Sequence, residues 1–251
     1  MSQILYGIHP VREALKSPYV QFQKILIGTQ KPHPPIQSIL ALASKKGVPV
    51  TFTTKEVLRQ MVKGDLHQNV AGIVQDLPYA DLKEILSQWK MGGEKALFII
   101  LDGIQDPQNF GSLIRTALGC GAHGMIFPKD RAVGITPSVV KVSAGAALHL
   151  PLVRVVNVAT TIDALKKEGI WVYGASGEAR DSIFDLDLNL DLAIVIGSEE
   201  KGIRPLVKKK CDRVFSIPMK GPISSFNASV SGGMILYEVV RQRTLHDHRP
   251  L

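Results

Sequence analysis

Three stretches of this chain concentrate the amide, hydroxyl, carboxylate and guanidinium groups that could do chemistry. The first runs Asp106-Pro107-Gln108-Asn109-Phe110-Gly111-Ser112-Leu113-Ile114-Arg115, the second Gly197-Ser198-Glu199-Glu200-Lys201-Gly202, and the third Ile217-Pro218-Met219 through Gly221, Ser225, Phe226, Asn227 and Ser229. In the first, Asp106-Pro107 sets a turn and Asn109 is expected to cap a helix running to Leu118. Arg115 falls on the second turn of that helix. Helical side chains lean toward the N-terminus, so its guanidinium can reach back toward Asn109. Two readings stay open for this pair: Asn109 caps and Arg115 pairs with a nearby acid, or both face a ligand. In the third stretch the polar run opens the last helix, whose first-turn amides could hold an anion. Capping would account for one of Ser225, Asn227 and Ser229, and strains to account for all three.

The second stretch nearly spells a phosphate-binding GxxxxGK[ST] loop, but Ile203-Arg204 stand where Lys and Ser/Thr are required. Without the lysine on the phosphates and the hydroxyl on magnesium, nucleotide hydrolysis loses its mechanism. No GxGxxG follows a strand, so neither a dinucleotide site nor the Rossmann-type methyltransferase loop is supported. Cys120 and Cys211 lie far apart and form no CxxC pair, and His246 and His248 read as part of a frayed tail. No metal is expected.

Each stretch follows an expected strand, at 97–101, 192–196 and 213–217, the first two continuously apolar. A continuously hydrophobic strand is buried on both faces, as in a parallel α/β sheet, and such sheets bind ligands beyond the carboxyl ends of their strands. The three polar stretches are therefore expected to share one site. Further strands are expected at 124–127, 152–156 and 170–174, with helices between them and a long final helix from about 225 to 243. The first 76 residues read as a smaller α/β unit: helices at 7–16, 36–46 and 55–62, strands at 23–27, 50–53 and 70–74, with Gly47-Val48-Pro49 and Gly64-Asp65 as punctuation. Residues 77–94 look like a connector with one amphipathic stretch at Leu82, Ile85, Leu86 and Trp89. The expected division is 1–76, a linker at 77–94, a larger domain at 95–245, and a tail at 246–251.

The formal charge is +8. Residues 1–76 carry nine Lys/Arg against four Asp/Glu, the densest excess in the chain. A basic surface favours a polyanion, with nucleic acid ahead of membrane because no basic amphipathic anchor is evident. The apolar runs are too short to span a bilayer, and the N-terminus lacks a charged start and apolar core. A cytoplasmic protein is expected, without membrane association.

Taken in order, the three stretches resemble the signature motifs of the SpoU (TrmH-type) family of RNA ribose 2′-O-methyltransferases, within the SPOUT superfamily. The resemblance continues through Val142-Ser143-Ala144-Gly145-Ala146 and Leu150-Pro151-Leu152-Val153-Arg154-Val155. It also covers Tyr6-Gly7-Ile8-His9-Pro10-Val11-Arg12-Glu13-Ala14-Leu15 and His67-Gln68-Asn69-Val70-Ala71-Gly72. Those two segments look like the substrate-binding domain of bacterial large-subunit rRNA guanosine 2′-O-methyltransferases, itself similar to a kink-turn-binding ribosomal protein. Phe226 replaces a usual Leu, Ala228 a usual Val, and Asn69 a common Gly.

The resemblance implies an α/β fold: a SPOUT-type parallel sheet with helices on both faces and a deep C-terminal trefoil knot, preceded by the small ribosomal-protein-like RNA-binding domain. It implies a homodimer that binds S-adenosylmethionine and methylates a ribose 2′-hydroxyl, a guanosine of 23S rRNA in the peptidyl-transferase region. Methylation of tRNA, or a non-catalytic role in RNA binding and ribosome assembly, is the alternative. Arg115 matches the family's catalytic arginine; Asn109, Glu199, Ser225 and Asn227 are the remaining implied catalytic positions. Gly197, Ile217 and Phe226 are the implied cofactor contacts. A guanidinium stays protonated, so Arg115 is expected to orient a phosphate and stabilise oxyanion charge, with Glu199 as the rival base.

Overall fold

The structure, a computed structural model, describes residues 2–18, 20–62, 67–75, 77, 79–223 and 225–247. The chain opens with β1 (Ser2–Tyr6), α1 (Ile8–Lys16), β2 (Phe22–Ile27), α2 (Pro34–Lys45), β3 (Val50–Phe52), α3 (Lys55–Val62) and β4 (Val70–Gln75). It continues with α4 (Leu82–Gly92), β5 (Leu97–Asp102), α5 (Pro107–Gly119), β6 (Gly124–Pro128), α6 (Pro137–Val142), β7 (Leu152–Val155) and α7 (Val158–Lys167). The last elements are β8 (Trp171–Ala175), β9 (Asp181–Ser182), β10 (Leu192–Gly197), α8 (Pro205–Lys210), β11 (Arg213–Ser216) and α9 (Ala228–Asp247). They form two compact units, one of Met1–Pro78 with Ile135–His149, the other of Tyr79–Gly134 with Leu150–Leu251.

The first unit is built on a four-stranded sheet of order β1-β4-β2-β3, with β4 antiparallel to both neighbours and β2 parallel to β3. Strand β1 was not foreseen, because SQILY is short and lacks a clean alternation. The two N-terminal motif segments meet in one joint. Gly7, at φ +97°, precedes α1 and has no side chain to cap it; Gln68 Oε1 accepts from Ile8 N instead, at 2.9 Å. Val70 N donates to His67 O at 3.0 Å, and Gln68 and Asn69 between them have φ of 49° and 62°. This is a turn with both central residues left-handed, a conformation in which Asn is the best substitute for Gly. The Gly64-Asp65 punctuation lies outside the described residues.

Residues Ile135–His149 pack with this unit, against α1. Ser17 Oγ donates to Leu148 O at 3.0 Å, and a Cβ on Gly145 would lie 2.6 Å from Glu13 Cβ. A segment read as part of the larger domain thus belongs by its packing with the smaller one.

The second unit carries a seven-stranded sheet of order β7-β6-β5-β10-β8-β11-β9 in which every adjacent pair is parallel. At its centre β10 runs beside β5 from Leu192↔Leu97 to Gly197↔Asp102. Successive side chains of these strands alternate between the faces, and both sets are buried. Phe98, Ile100, Ala193 and Val195 pack with Ile85 and Trp89 of α4, Ile162 and Leu165 of α7, and Val207 of α8. The stretch expected as a linker therefore supplies core. On the opposite face Phe110 of α5 meets Phe127 edge-on, with ring centroids 4.9 Å apart. There α9 packs on α5 so closely that a Cβ on Gly232 would lie 2.2 Å from Leu113 Cδ2 and 3.0 Å from Ile196 Cδ1. Helix α9 starts at Ala228 rather than near 225 and runs through Asp247; His248 and Arg249 of the expected tail lie outside the described residues. Because all strands are parallel, β5, β10, β8 and β11 deliver their carboxyl ends, side by side, to one edge.

Candidate active site

At that edge the first stretch is shaped by Asp106, not Asn109. Asp106 is the N-cap of α5: its carboxylate accepts from Gln108 N at 3.2 Å and Asn109 N at 3.1 Å, and Pro107 takes the first helical position. This corrects the expectation that Asn109 caps. Asn109 sits in the first turn with its amide side chain free for another use, and it is buried.

The second stretch is a tight loop. Ser198 N donates to Gly202 O at 3.2 Å and Gly202 N to Ser198 O at 2.8 Å, leaving Glu199, Glu200 and Lys201 at the tip. Gly197 must be glycine here, since a Cβ would lie 2.1 Å from the carbonyl carbon of Gly202. The loop is anchored to β5 through the fully buried Asp102 side chain. Asp102 accepts from Arg204 N at 2.8 Å and Arg204 Nε at 2.7 Å.

In the third stretch Asn227 caps α9, its Oδ1 accepting from Ser229 N at 3.0 Å, Val230 N at 3.3 Å and Ser229 Oγ at 2.7 Å. Its Nδ2 faces the other way and donates to Asn109 Oδ1 at 3.0 Å and to Glu199 Oε1 at 3.2 Å. Asn109 Nδ2 donates to the same Glu199 oxygen. One residue from each stretch thus joins a closed network in which two amides hold one carboxylate oxygen.

Beside this network lies a cavity of about 440 Å³ bordered by Gly197, Glu199, Ile217, Ser225 and Phe226. The three expected cofactor contacts thus border one cavity, and Ser225 joins them without a hydrogen-bond partner among the described residues. Two features escaped the sequence reading. Ser176-Gly177-Glu178, after β8, also line the cavity, as does Lys208 of α8. Only the sheet order, with β8 between β10 and β11, brings them there.

Arg115 stands apart. It is exposed on α5 and has no hydrogen-bond or ion-pair partner among the described residues. It trails Asn109 by six residues, about 240° around the helix at ~100° per residue, so the guanidinium does not join the network in this chain. The reading in which Arg115 pairs with a nearby acid is not what the structure shows. Among the described residues there is no group of three or more His, Cys, Asp or Glu that could hold a metal, and no helix long and apolar enough to cross a membrane.

The chain is similar to known proteins along almost its whole length. Residues 4–80 match the RNA 2′-O ribose methyltransferase substrate-binding family, and residues 96–237 match the SpoU rRNA methylase family. The 23S rRNA (guanosine-2′-O-)-methyltransferase RlmB of Coxiella burnetii is 40% identical over 245 residues, covering 97% of this chain and 98% of that protein. The SpoU methyltransferase AviRb from Streptomyces viridochromogenes, solved with AdoMet, superposes with a TM-score of 0.83 at 26% identity, covering 97% of this chain and 91% of that one. A structure concerned with 2-OH methylation of C/U34 on tRNA is 25% identical with a TM-score of 0.55, covering 99% of itself but 61% of this chain. With its three strand-end motifs gathered at one edge of a parallel sheet, this chain belongs to the SpoU rRNA methylase family.

Proposed function

We propose that this protein transfers a methyl group from S-adenosylmethionine to the 2′-hydroxyl of a guanosine in 23S rRNA, in the peptidyl-transferase region. The observation that carries this reading is the network of Asn109, Glu199 and Asn227 beside the cavity. A pocket of that volume, in which Ile196, Ile217 and Phe226 stand among polar and charged groups, suits an adenosyl group with its apolar base and polar ribose. The cofactor, when bound, supplies a methyl group on a sulfonium centre whose leaving group is a neutral thioether.

The protein's part is to position the ribose and relieve its hydroxyl of a proton. The amides of Asn109 and Asn227 fix Glu199 Oε1 and leave Oε2, which has no partner among the described residues, as the acceptor for that proton. Ser225, on the cavity wall, holds the ribose. The permanent charge of Arg115 binds the target phosphate and stabilises developing negative charge on the ribose oxygen.

The protein acts as a homodimer in which Arg115 serves the partner's site. Support comes from its free, exposed position and from the stripe beside it: Leu118 on α5, then Val230, Met234 and Tyr237 at helical spacing on α9, all large and exposed. The smaller unit, Met1–Pro78 with Ile135–His149, binds the rRNA, and the larger one, which includes the 79–94 stretch in its core, carries the transfer, with a deep trefoil knot near the C-terminus. The interleaving of β10 between β5 and β8, followed by the return of α9 onto α5, supports the knot. The substrate-binding match at 4–80, and the part of this chain that the tRNA-related structure leaves uncovered, favour rRNA over tRNA. A ribosomal substrate implies action in the cytoplasm.

The test is transfer of tritium from labelled S-adenosylmethionine to total RNA, followed by mapping of the modified nucleotide. A 2′-O-methylguanosine in 23S rRNA is expected. Cofactor binding with no transfer to any RNA would make this a binding protein; label in tRNA would move the substrate.

A further inference from the structure

The strand between the two cofactor-lining strands brings a carboxylate that no sequence motif contains. β8 separates β10 from β11, and its end runs into Ser176-Gly177-Glu178 on the cavity wall. Lys208 of α8 reaches the same place, its Nζ 3.1 Å from Ser176 Oγ and 3.6 Å from Glu178 Oε2. The Glu178 side chain is 90% exposed, so this ion pair adds little to stability. A lightly held carboxylate facing a cavity is free for a ligand.

We propose that Glu178 accepts hydrogen bonds from the ribose hydroxyls of the adenosyl group, and that Lys208, braced by Ser176, positions its carboxylate. This rests on the cofactor reading above. The reactive sulfur must face the network at the ends of β5 and β10, so the adenosyl arm extends across β10 toward β8 and β11. An ionised glutamate is acceptor-only, and its two oxygens match the two adjacent donors of a ribose diol. Parallel α/β sheets that bind dinucleotides place an acidic residue beyond a strand on a ribose hydroxyl for the same reason. Glu200 also borders the cavity, but no contact holds its side chain among the described residues.

The experiment is calorimetric titration of the full chain with S-adenosylhomocysteine and its 2′-deoxy and 3′-deoxy analogues. Glu178→Gln should weaken binding of the parent ligand by about 10- to 100-fold, the range for a hydrogen bond to a charged group. Wild-type protein should lose affinity for each analogue, whereas Glu178→Ala, which has no side-chain partner for either hydroxyl, should bind analogues and parent within about 2-fold. Lys208→Gln should weaken the wild type but not the Glu178→Gln background. Parent binding by Glu178→Gln within about 2-fold of wild type would overturn the proposal. So would equal losses for parent and analogues, which would move Glu178 to another part of the ligand. Failure of the wild type to bind the parent at all would overturn the cofactor assignment itself, and the diol contact with it.

Discussion

Asn227 and Asn109 touch through one hydrogen bond across 118 residues of chain, Nδ2 of the first to Oδ1 of the second at 3.0 Å. The direction of that bond follows from helix capping. The Oδ1 of Asn227 is occupied by the first amides of α9, so its Nδ2 has only the site to face. Ordinarily the orientation of an amide is a matter of assignment; here the helix start dictates it. The beginning of α9 and the holding of Glu199 are therefore one construction.

Substitutions at Asn227 separate the two duties. Asp caps as well as Asn, so Asn227→Asp should keep the melting temperature near that of the wild type. It removes the Nδ2 donor and sets a second carboxylate against Glu199. Turnover should fall by on the order of 10², as when a transition-state contact is lost. Asn227→Ala should lose both the turnover and about 1 kcal/mol of stability with the cap. A thermal melt beside a methyl-transfer assay reads both. Wild-type turnover in Asn227→Asp would show that the amide network has no part in the reaction.

Arg115→Ala should leave stability within about 0.5 kcal/mol and cofactor affinity nearly unchanged, because the side chain is exposed and has no partner among the described residues. Turnover should drop by on the order of 10² or more. Mixing inactive Arg115→Ala subunits with inactive Asn227→Asp subunits gives a sharper measurement. If Arg115 works across a dimer, each heterodimer regains one complete site, made of one subunit's Asn227 and the other's Arg115. Recovery of activity on mixing is expected. Its absence, with heterodimers demonstrated by mass spectrometry, would put Arg115 to work within its own chain.

Much of the site was legible because parallel strands make local sequence and site position coincide. Three strands of one parallel sheet, two of them buried along their apolar runs, each had to end at the same edge, so the stretches after them had to meet. What depends on several candidates competing for one backbone was not legible. Asp106 and Asn109 are both good capping residues, and the cap fell to Asp106 because Pro107 fits the first helical position. That signal was in the sequence. The contribution of Ser176, Glu178 and Lys208 was not, because it follows from β8 lying between two strands that come later in the chain. In the N-terminal unit, the exchange of a common Gly for Asn69 follows from its left-handed backbone, which only the folded turn reveals. The assignment of Ile135–His149 to that unit rests on long-range packing against α1, which no periodicity encodes.

Asp102→Asn should loosen the Gly197–Gly202 loop from β5. The buried carboxylate takes the Arg204 backbone amide on one oxygen and its guanidinium on the other, with Nη2 2.6 Å from Oδ1. An amide can serve only one of these and turns its own N–H₂ against the other. A destabilisation of about 1–3 kcal/mol is expected in urea unfolding, the cost of an unsatisfied buried partner. The Arg204 side chain is half exposed and can rehydrate, which keeps the loss toward the lower end. Cofactor affinity should fall as well, since Gly197 and Glu199 ride on the same loop. Unchanged stability and affinity would show that the loop holds its shape without the clamp.

Cys211 predicts how stability changes in alkaline solution. Burial, with Asp212 adding to it, pushes its thiol up to about 12, and its Sγ donates to Val207 O at 3.4 Å. In the unfolded chain the thiol ionises near 8.5. The folded state thus keeps a proton that the unfolded state gives up. The contribution is fully present below the unfolded value and is lost as pH rises from there toward the folded one. Over that window wild-type protein should lose up to about 1.4 kcal/mol per pH unit more than Cys211→Ala, whatever other groups contribute equally to both. Urea midpoints for the two proteins at successive pH values measure the difference in slope. Because burial holds the Cys211 thiol protonated in the native protein at pH 8, a thiol reagent should label it much faster as the chain unfolds. Parallel slopes, or rapid labelling of Cys211 in the folded protein, would place the thiol in water rather than against α8.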